Sequence, residues 1–402
     1  MLIKPLHSAL FSKFMYFYFF IFVSLTVNAA QPVVASYYVA AGNPVAVSRL
    51  PAEKLSHVIY AFFALCGNNS GANDTTQKAI RVACQGKEPY SAVIFNEKAV
   101  MSELVAFKQL KQQHPHLLIL PSFGGWTLSQ PFHGMAKSDS ARQQFVQSAV
   151  ALIEKHEVFD GIDIDWEYPG GGGNSQNILS GAQAQQEKQV FALLMQELRT
   201  GLDKLKQNTG REYQLTAAVS GSEAKTQAID WQKTIPFMDY VFTMTYDFAV
   251  GDGRAGHHTN LFSPDDKTHS TAGMINNLLN AGIPESKLVV GVAFYGRGWL
   301  QSGWQKSHFN GVNRASSIGS FTYKQLLEMP LDGYQYGYDE NAQAAYLYHP
   351  EKDAFISFDD KRSIAAKANW VKSKGLAGLF SWQIRQDNGD LVSAMYENLK
   401  LK

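Results

Sequence analysis

The sequence predicts an α/β fold, a TIM (β/α)8 barrel with a small α+β insertion between its seventh and eighth strands. Three observations predict it. Short apolar, β-rich runs alternate with helical stretches along most of the 402 residues, the mark of a parallel sheet covered by helices. Eight such runs favour a closed barrel over an open sheet. About 80 residues separate the last two runs, too many for a structureless loop in a compact domain.

The first two strands are expected at Val33 to Val39 (VVASYYV) and His57 to Leu65 (HVIYAFFAL). Leu117 to Phe123, Gly161 to Trp166, Gln214 to Ser220, Tyr240 to Tyr246, Leu288 to Phe294 and Gly378 to Trp382 complete the set. Helices are expected between them at Glu97 to Gln113, Ser140 to His156, Gln185 to Gln207, Thr271 to Ala281 and Arg362 to Lys374. The insertion runs from Gly298 to Phe358, rich in Tyr, Gly, Asn and Ser, with one helical piece near Tyr323 to Glu328.

Residues 1–30 read as an export signal. Lys4 and Lys13 flank the start, Phe14 to Val27 is apolar, and Val27-Asn28-Ala29 fits a small-residue cleavage site. A secreted chain beginning near Ala30 or Gln31 is therefore expected, extracellular or periplasmic. No later segment is apolar enough over sufficient length to cross a bilayer. Without Lys4 and Lys13 the formal charge falls from +1 to −1. So balanced a chain lacks the clustered positive charge that nucleic acid or an anionic polymer demands. Cys66 and Cys84 are the two cysteines. An exported protein permits a disulfide across the Asn-, Gly- and Thr-rich loop between them, worth roughly 3 kcal/mol; two buried thiols are the alternative.

Phe159 to Gly170 reads FDGIDIDWEYPG. Asp163, Asp165 and Glu167 alternate with Ile164 and Trp166, so on a strand the three carboxylates share one face. Like charges side by side repel. The row persists only with shared protons, neutralising partners or pKa values pushed apart. Pushed-apart values are what a general acid requires at neutral pH. A solvated strand face and a metal site are the other readings. Phe159, Ile162, Ile164 and Trp166 make a buried-type strand, against the first. No His accompanies the acids, and a hard cation would draw oxygens from a loop, against the second. His257, His258 and His269 lie after the sixth strand without Cys or spaced His partners, so no metal is expected there either.

DGIDIDWEYPGG is similar to the DxxDxDxE signature of glycoside hydrolase family 18, the chitinases and their relatives. Other strand ends carry matching segments: Ser122-Phe-Gly-Gly-Trp126, Met244-Thr-Tyr246-Asp247, Tyr295-Gly-Arg297-Gly-Trp299 and the closing Trp382. The resemblance implies chemistry at the C-terminal strand ends. It implies a chitinase that cleaves β-1,4 bonds between N-acetylglucosamine units with retention, the substrate's own N-acetyl group attacking C1. Glu167 would then be the general acid. Asp165 would hold the acetamido N–H, Asp163 would share a proton with Asp165, and the Tyr246 hydroxyl would hold the acetamido carbonyl. Phe62, Gly125, Trp126, Thr127, Tyr168, Met244, Asp247, Tyr295, Arg297 and Trp382 would line the substrate cleft, since aromatics suit the flat C–H faces of sugars. Asp160 falls out of register with the row and is expected to be structural. Gly124 and Gly125 are expected to be small for close packing.

Bacterial-type chitinases with a subdomain between strands seven and eight are the most similar subgroup. Cys66 and Cys84, GGWTLSQPF from Gly124 and FISFDD from Phe355 carry that likeness. Ser317-Ile-Gly-Ser-Phe321 departs from it, standing where the subgroup has a Trp-Glu pair. The expected partner is chitin or its oligosaccharides, with no cofactor or metal, no nucleic acid, no membrane after signal cleavage, and a monomeric chain. Two other functions suit the same motifs: an endo-β-N-acetylglucosaminidase on glycoprotein glycans, and a non-catalytic chitin-binding lectin. Aromatic platforms in a deep cleft favour linear chitin over the first, and the presence of Glu167, Asp165 and Tyr246 argues against the second.

Overall fold

The computed structural model describes residues 1–2, 31–174, 177–263, 269–305 and 314–400. The expected export signal, residues 1–30, lies outside them except for its first two residues. Contacts divide the chain into Met1–Gln31 and Pro32–Lys402, and the second unit carries the fold.

Its strands, in chain order, are β1 (Val33–Val39), β2 (His57–Leu65), β3 (Ala92–Val93), β4 (Leu118–Gly124), β5 (Gly161–Asp165), β6 (Gln214–Val219) and β7 (Tyr240–Thr243). Then follow β8 (Leu288–Ala293), β9 (Tyr295–Leu300), β10 (Ser316–Thr322), β11 (Gln335–Asp339), β12 (Ala344–His349), β13 (Ala354–Phe358) and β14 (Gly378–Trp382). Eight run parallel in the order β1, β14, β8, β7, β6, β5, β4, β2, and β2 pairs back with β1 to close the barrel. The short β3 adds antiparallel to β2.

Helices Glu97–Gln113, Asp139–Lys155, Gly181–Thr209, Thr271–Asn280 and Lys361–Ser373 match the five expected within a few residues. Asp74–Ala83 is a further helix, in a segment whose composition reads as loop. Asn73 caps it by accepting from the Thr76 amide, and Asp74 complements the helix dipole. Cys66 and Cys84 are joined in a disulfide that ties this helix to the end of β2.

Two apolar layers explain the barrel. Outward side chains such as Ile162, Ile164 and Trp166 pack under the surrounding helices. Inward side chains, among them Ala35, Tyr37, Ile59, Leu120, Phe242 and Phe380, fill the interior. Phe62, Met244, Tyr246 and Trp382 are half-buried and cap that interior at the C-terminal strand ends. At the opposite end, Asp160 binds Lys111 and Arg211 and accepts from the Ile119 amide, the structural role expected of it.

The segment between β8 and β14 builds a second, antiparallel sheet in the order β10, β9, β13, β12, β11. Its first strand, β9, begins directly after Phe294, so Tyr295 and Arg297 stand on the sheet beside the barrel mouth. A buried ion pair fastens the two layers. Asp359, just past β13, accepts from the Ala293 amide, Thr259 and Lys367.

Candidate active site

The period of 2 along β5 sends Ile162 and Ile164 outward and leaves Asp163 and Asp165 on the inner face, both buried. Glu167 lies two residues beyond the strand end, half-buried at the mouth. The row is therefore a depth series rather than one strand face, because the strand stops at Asp165.

Each acid meets a different environment. Asp163 accepts from Thr216 (2.6 Å), Ser122 (2.6 Å) and Tyr37 (2.9 Å). Burial raises its carboxyl above the ordinary value, and those three hydroxyls offset only part of the rise. Asp165 is pushed well above the usual range by burial, then by the charges of Glu167 and Asp163. Its Oδ1 is buried with no hydrogen-bond partner among the described residues. Asp163 is thus ringed by three hydroxyl donors, whereas Asp165 depends on its neighbours. Glu167 is pushed up to about 7 by burial, against a lowering hydrogen bond from Tyr168 and with a further rise from the Asp247 charge. A carboxyl near 7 can hold a proton at neutral pH and release it, as a general acid must.

The surrounding backbone fixes that acid. Ser129 Oγ accepts from the Glu167 amide at 2.9 Å and lies 2.8 Å and 3.0 Å from the carbonyls of Gly125 and Asp165. Gly125 itself donates to the Asp165 carbonyl at 2.7 Å. A Cβ on Gly124 (φ +111°) would come within 2.2 Å of that carbonyl oxygen. One on Gly125 (φ +80°) would strike the Phe62 ring at 2.5 Å. Both glycines serve close approach, and Gly125 seats the Phe62 ring.

The predicted cleft residues fall into separate groups. Trp126, half-exposed, and Thr127 line a cleft of about 200 Å³ with Ser129, His133, Glu167 and Asn174. Trp382 stacks on Phe62 at 5.6 Å and 21° and tilts against Tyr37 at 5.4 Å, making a flat aromatic floor. Met244 and Tyr246 pack at the rim of the inner core. The Tyr246 hydroxyl is held neutral by burial and by the acids Asp165 and Glu167, so it remains a donor. Tyr168 carries Lys225 over its ring at 4.8 Å.

Asp247, Tyr295 and Arg297 form one cluster. Arg297 grips Asp247 with Nε at 2.8 Å and Nη2 at 2.7 Å, and the Tyr295 hydroxyl donates at 2.8 Å. Burial alone would raise Asp247, but His258 and Arg297 outweigh it and hold the carboxylate below its ordinary range. Tyr37, Thr216 and Ser129 are site residues that sequence reasoning does not single out. Ser129 lies inside the quoted GGWTLSQPF, whereas Tyr37 and Thr216 carry no local signal because their partner is on another strand. Among the described residues no group of His, Cys, Asp and Glu is arranged to hold a metal.

A carboxyl raised to about 7 and an aromatic floor, both at the C-terminal strand ends of a barrel, suit a hydrolase of glycosidic bonds. The family described as Glycosyl hydrolases family 18 matches residues 33–387. Chitinase A of Pseudoalteromonas piscicida is 34% identical over 417 residues, covering 88% of this chain and 50% of that protein. The probable endochitinase of Orgyia pseudotsugata multicapsid polyhedrosis virus is 35% identical over 405 residues, covering 92% and 72%. Among solved structures, chitinase ChiA74 from Bacillus thuringiensis superposes with a TM-score of 0.79 at 27% identity, covering 92% of this chain and 70% of that one. The chain belongs to glycosyl hydrolases family 18. It spans half the length of the Pseudoalteromonas protein.

Proposed function

We propose that this chain is a chitinase that hydrolyses β-1,4 bonds between N-acetylglucosamine units by a retaining, substrate-assisted route. The orphaned Oδ1 of Asp165 carries the reading. A buried acceptor without a partner is costly, and an acetamido N–H is a donor of the right size and charge to satisfy it. The N-acetyl oxygen attacks C1 as the C1–O bond breaks, and Glu167 delivers its proton to the leaving oxygen. Asp165 stabilises the resulting oxazolinium through that N–H, while Tyr246 donates to the acetamido oxygen and keeps it in line. Glu167, now ionised, takes a proton from water as the hydroxyl adds back to C1 on the same face. Asp163, to which three hydroxyls donate, supports the cationic intermediate from below.

In this reading Phe62 and Trp382 floor the cleft, Trp126, Thr127 and Tyr168 flank it, and Met244, Asp247, Tyr295 and Arg297 wall it. The insertion at 298–358 acts as the raised side of the cleft. The protein is exported, acts on chitin or its oligosaccharides as a monomer, and loses about 30 leading residues. Among the described residues no helix is long and apolar enough to cross a membrane.

The test is a product profile from the N-acetylglucosamine hexamer beside that from a high-mannose glycopeptide. The reading expects short oligomers released first as the β-anomer, seen by proton NMR. Cleavage of the glycopeptide alone would assign an endo-β-N-acetylglucosaminidase instead, and binding without turnover would assign a lectin.

A further inference from the structure

His258 is a residue the mechanism above does not use, and its surroundings are chemically unusual. The side chain is wholly buried. Its backbone is fixed, the amide donating to Ser357 Oγ at 3.0 Å and the carbonyl accepting from the Phe248 amide at 3.1 Å. Both ring nitrogens face oxygens that can only accept. Nε2 is 3.3 Å from the Tyr295 carbonyl, and Nδ1 is 3.6 Å from Asp247 Oδ1, too far for a hydrogen bond. A neutral imidazole has one N–H, so in either tautomer one nitrogen lone pair points at an acceptor. Only the imidazolium, with two N–H groups, satisfies both contacts.

We propose that His258 is a positioning residue that takes up a second proton when a sugar covers Asp247, drawing that carboxylate into a hydrogen bond and stiffening the cleft wall. The inference rests on the reading that substrate lies against Asp247.

The groups facing His258 set the direction. Asp247, from the loop after β7, attracts the second proton. Arg297, on β9, opposes it. Asp359, past β13, favours it, yet is already paired with Lys367 of the helix Lys361–Ser373. The Tyr295 hydroxyl is committed to Asp247. In the unliganded protein burial dominates and keeps the imidazole below its ordinary value. The Asp247 side chain is 36% exposed and therefore still screened by water. A sugar laid over it removes that water, and the attraction between Asp247 and His258 strengthens as the local dielectric falls. Binding and proton uptake are then linked, and each must favour the other.

The linkage is measured on Glu167→Gln, which is expected to slow turnover by about 100- to 10,000-fold and removes the titrating acid. Calorimetry with the N-acetylglucosamine tetramer at pH 5, 6 and 7, each in two buffers of different ionisation enthalpy, gives affinity and protons bound. The same titrations are run on Glu167→Gln/His258→Asn and Glu167→Gln/His258→Gln, whose amides keep a polar side chain but cannot titrate. Expected are a net proton uptake in the single variant that both double variants lose, and an affinity that weakens with rising pH by up to about tenfold per unit inside the linked window. Asp165 is common to all three proteins and cancels in the comparison. Uptake that is absent in the single variant, or unchanged in a double variant, overturns the inference even where one substitution fails to fold. Loss of tetramer binding at every pH, with an inactive parent enzyme, would instead overturn the functional reading and the inference with it.

Discussion

The position of the alkaline limb of activity is the sharpest consequence of the Glu167 environment. With its carboxyl near 7, about half the molecules carry the catalytic proton at pH 7. An ordinary glutamate near 4.3 would leave about 1 in 500 protonated. The shift amounts to roughly 4 kcal/mol, supplied chiefly by burial. Activity needs the protonated form, so it is lost as pH rises through the folded value. kcat/KM, which reports the free enzyme, should bend near pH 7 and then fall about tenfold per unit. Replacing Tyr168 with Phe removes the hydroxyl whose influence lowers this carboxyl, so the limb should move up, by about one pH unit at most. The assay is a pH series of kcat/KM on a chromogenic N-acetylglucosamine dimer glycoside, comparing the two proteins. The height of the profile is free to drop, because Tyr168 is also proposed to flank the cleft. A limb that stays in place or moves to lower pH in Tyr168→Phe would refute the reasoning.

Other expectations follow from the same contacts. Glu167→Gln should lower turnover by about 100- to 10,000-fold with oligosaccharide binding kept; unchanged turnover in purified protein removes the general-acid assignment. Asp165→Ala and Tyr246→Phe should each slow the reaction severely, and fully deacetylated chitosan should be a poor substrate for the unaltered enzyme. Equal rates on chitosan and chitin would contradict substrate assistance. His57 is buried at the closed end of the barrel and its value is lowered to about 4, mainly by burial, with its Nε2 2.8 Å from Gln214 Oε1. The folded value is depressed, so its contribution is complete above about 6.5 and is lost as pH falls toward the folded value, roughly 3 kcal/mol in all. His57→Gln should flatten the fall in urea stability between pH 6.5 and 4, and an unaltered slope would contradict this. Thiol labelling of native protein should find neither Cys66 nor Cys84 free; two labelled thiols would refute the bridge.

The barrel is legible in the sequence because buried parallel strands announce themselves as apolar runs, and β1, β2 and β14 have the limits expected from sequence. The strand ends are less legible. The apolar run from Tyr240 reads as strand as far as Tyr246, yet β7 stops at Thr243. Met244, Thr245 and Tyr246 leave the ladder, and Met244 and Tyr246 cap the barrel interior instead. The helix Asp74–Ala83 is hidden by its polar composition, although Asn73-Asp74 is a capping signal. The acids themselves are plain in the sequence. What decides their individual chemistry is not: Tyr37 is 126 residues from Asp163 and Thr216 is 53. No local pattern encodes contacts that only barrel closure creates.

Those long-range partners resolve the problem the acid row poses. Three carboxylates within five residues cannot all be ionised in a dry interior. Depth along the barrel assigns each a different answer. Asp163, deepest, receives three hydroxyl donors that offset part of the cost of burying its charge. Asp165 receives none at Oδ1 and is left dependent on its neighbours' protons or on a ligand's N–H. Glu167, past the strand end, is buried enough to hold a proton and exposed enough to give it away. Removing one of the Asp163 hydroxyls should therefore be felt at Asp165 before it is felt at Glu167, because the weakened donor set passes a proton demand up the row. Ser122→Ala tests the order directly. It leaves Glu167 and Ser129 untouched, so the alkaline limb should stay near pH 7 while the acidic limb, governed by the two aspartates, moves to higher pH. An alkaline limb that moved as far as the acidic one would mean that the row titrates as a single undivided unit.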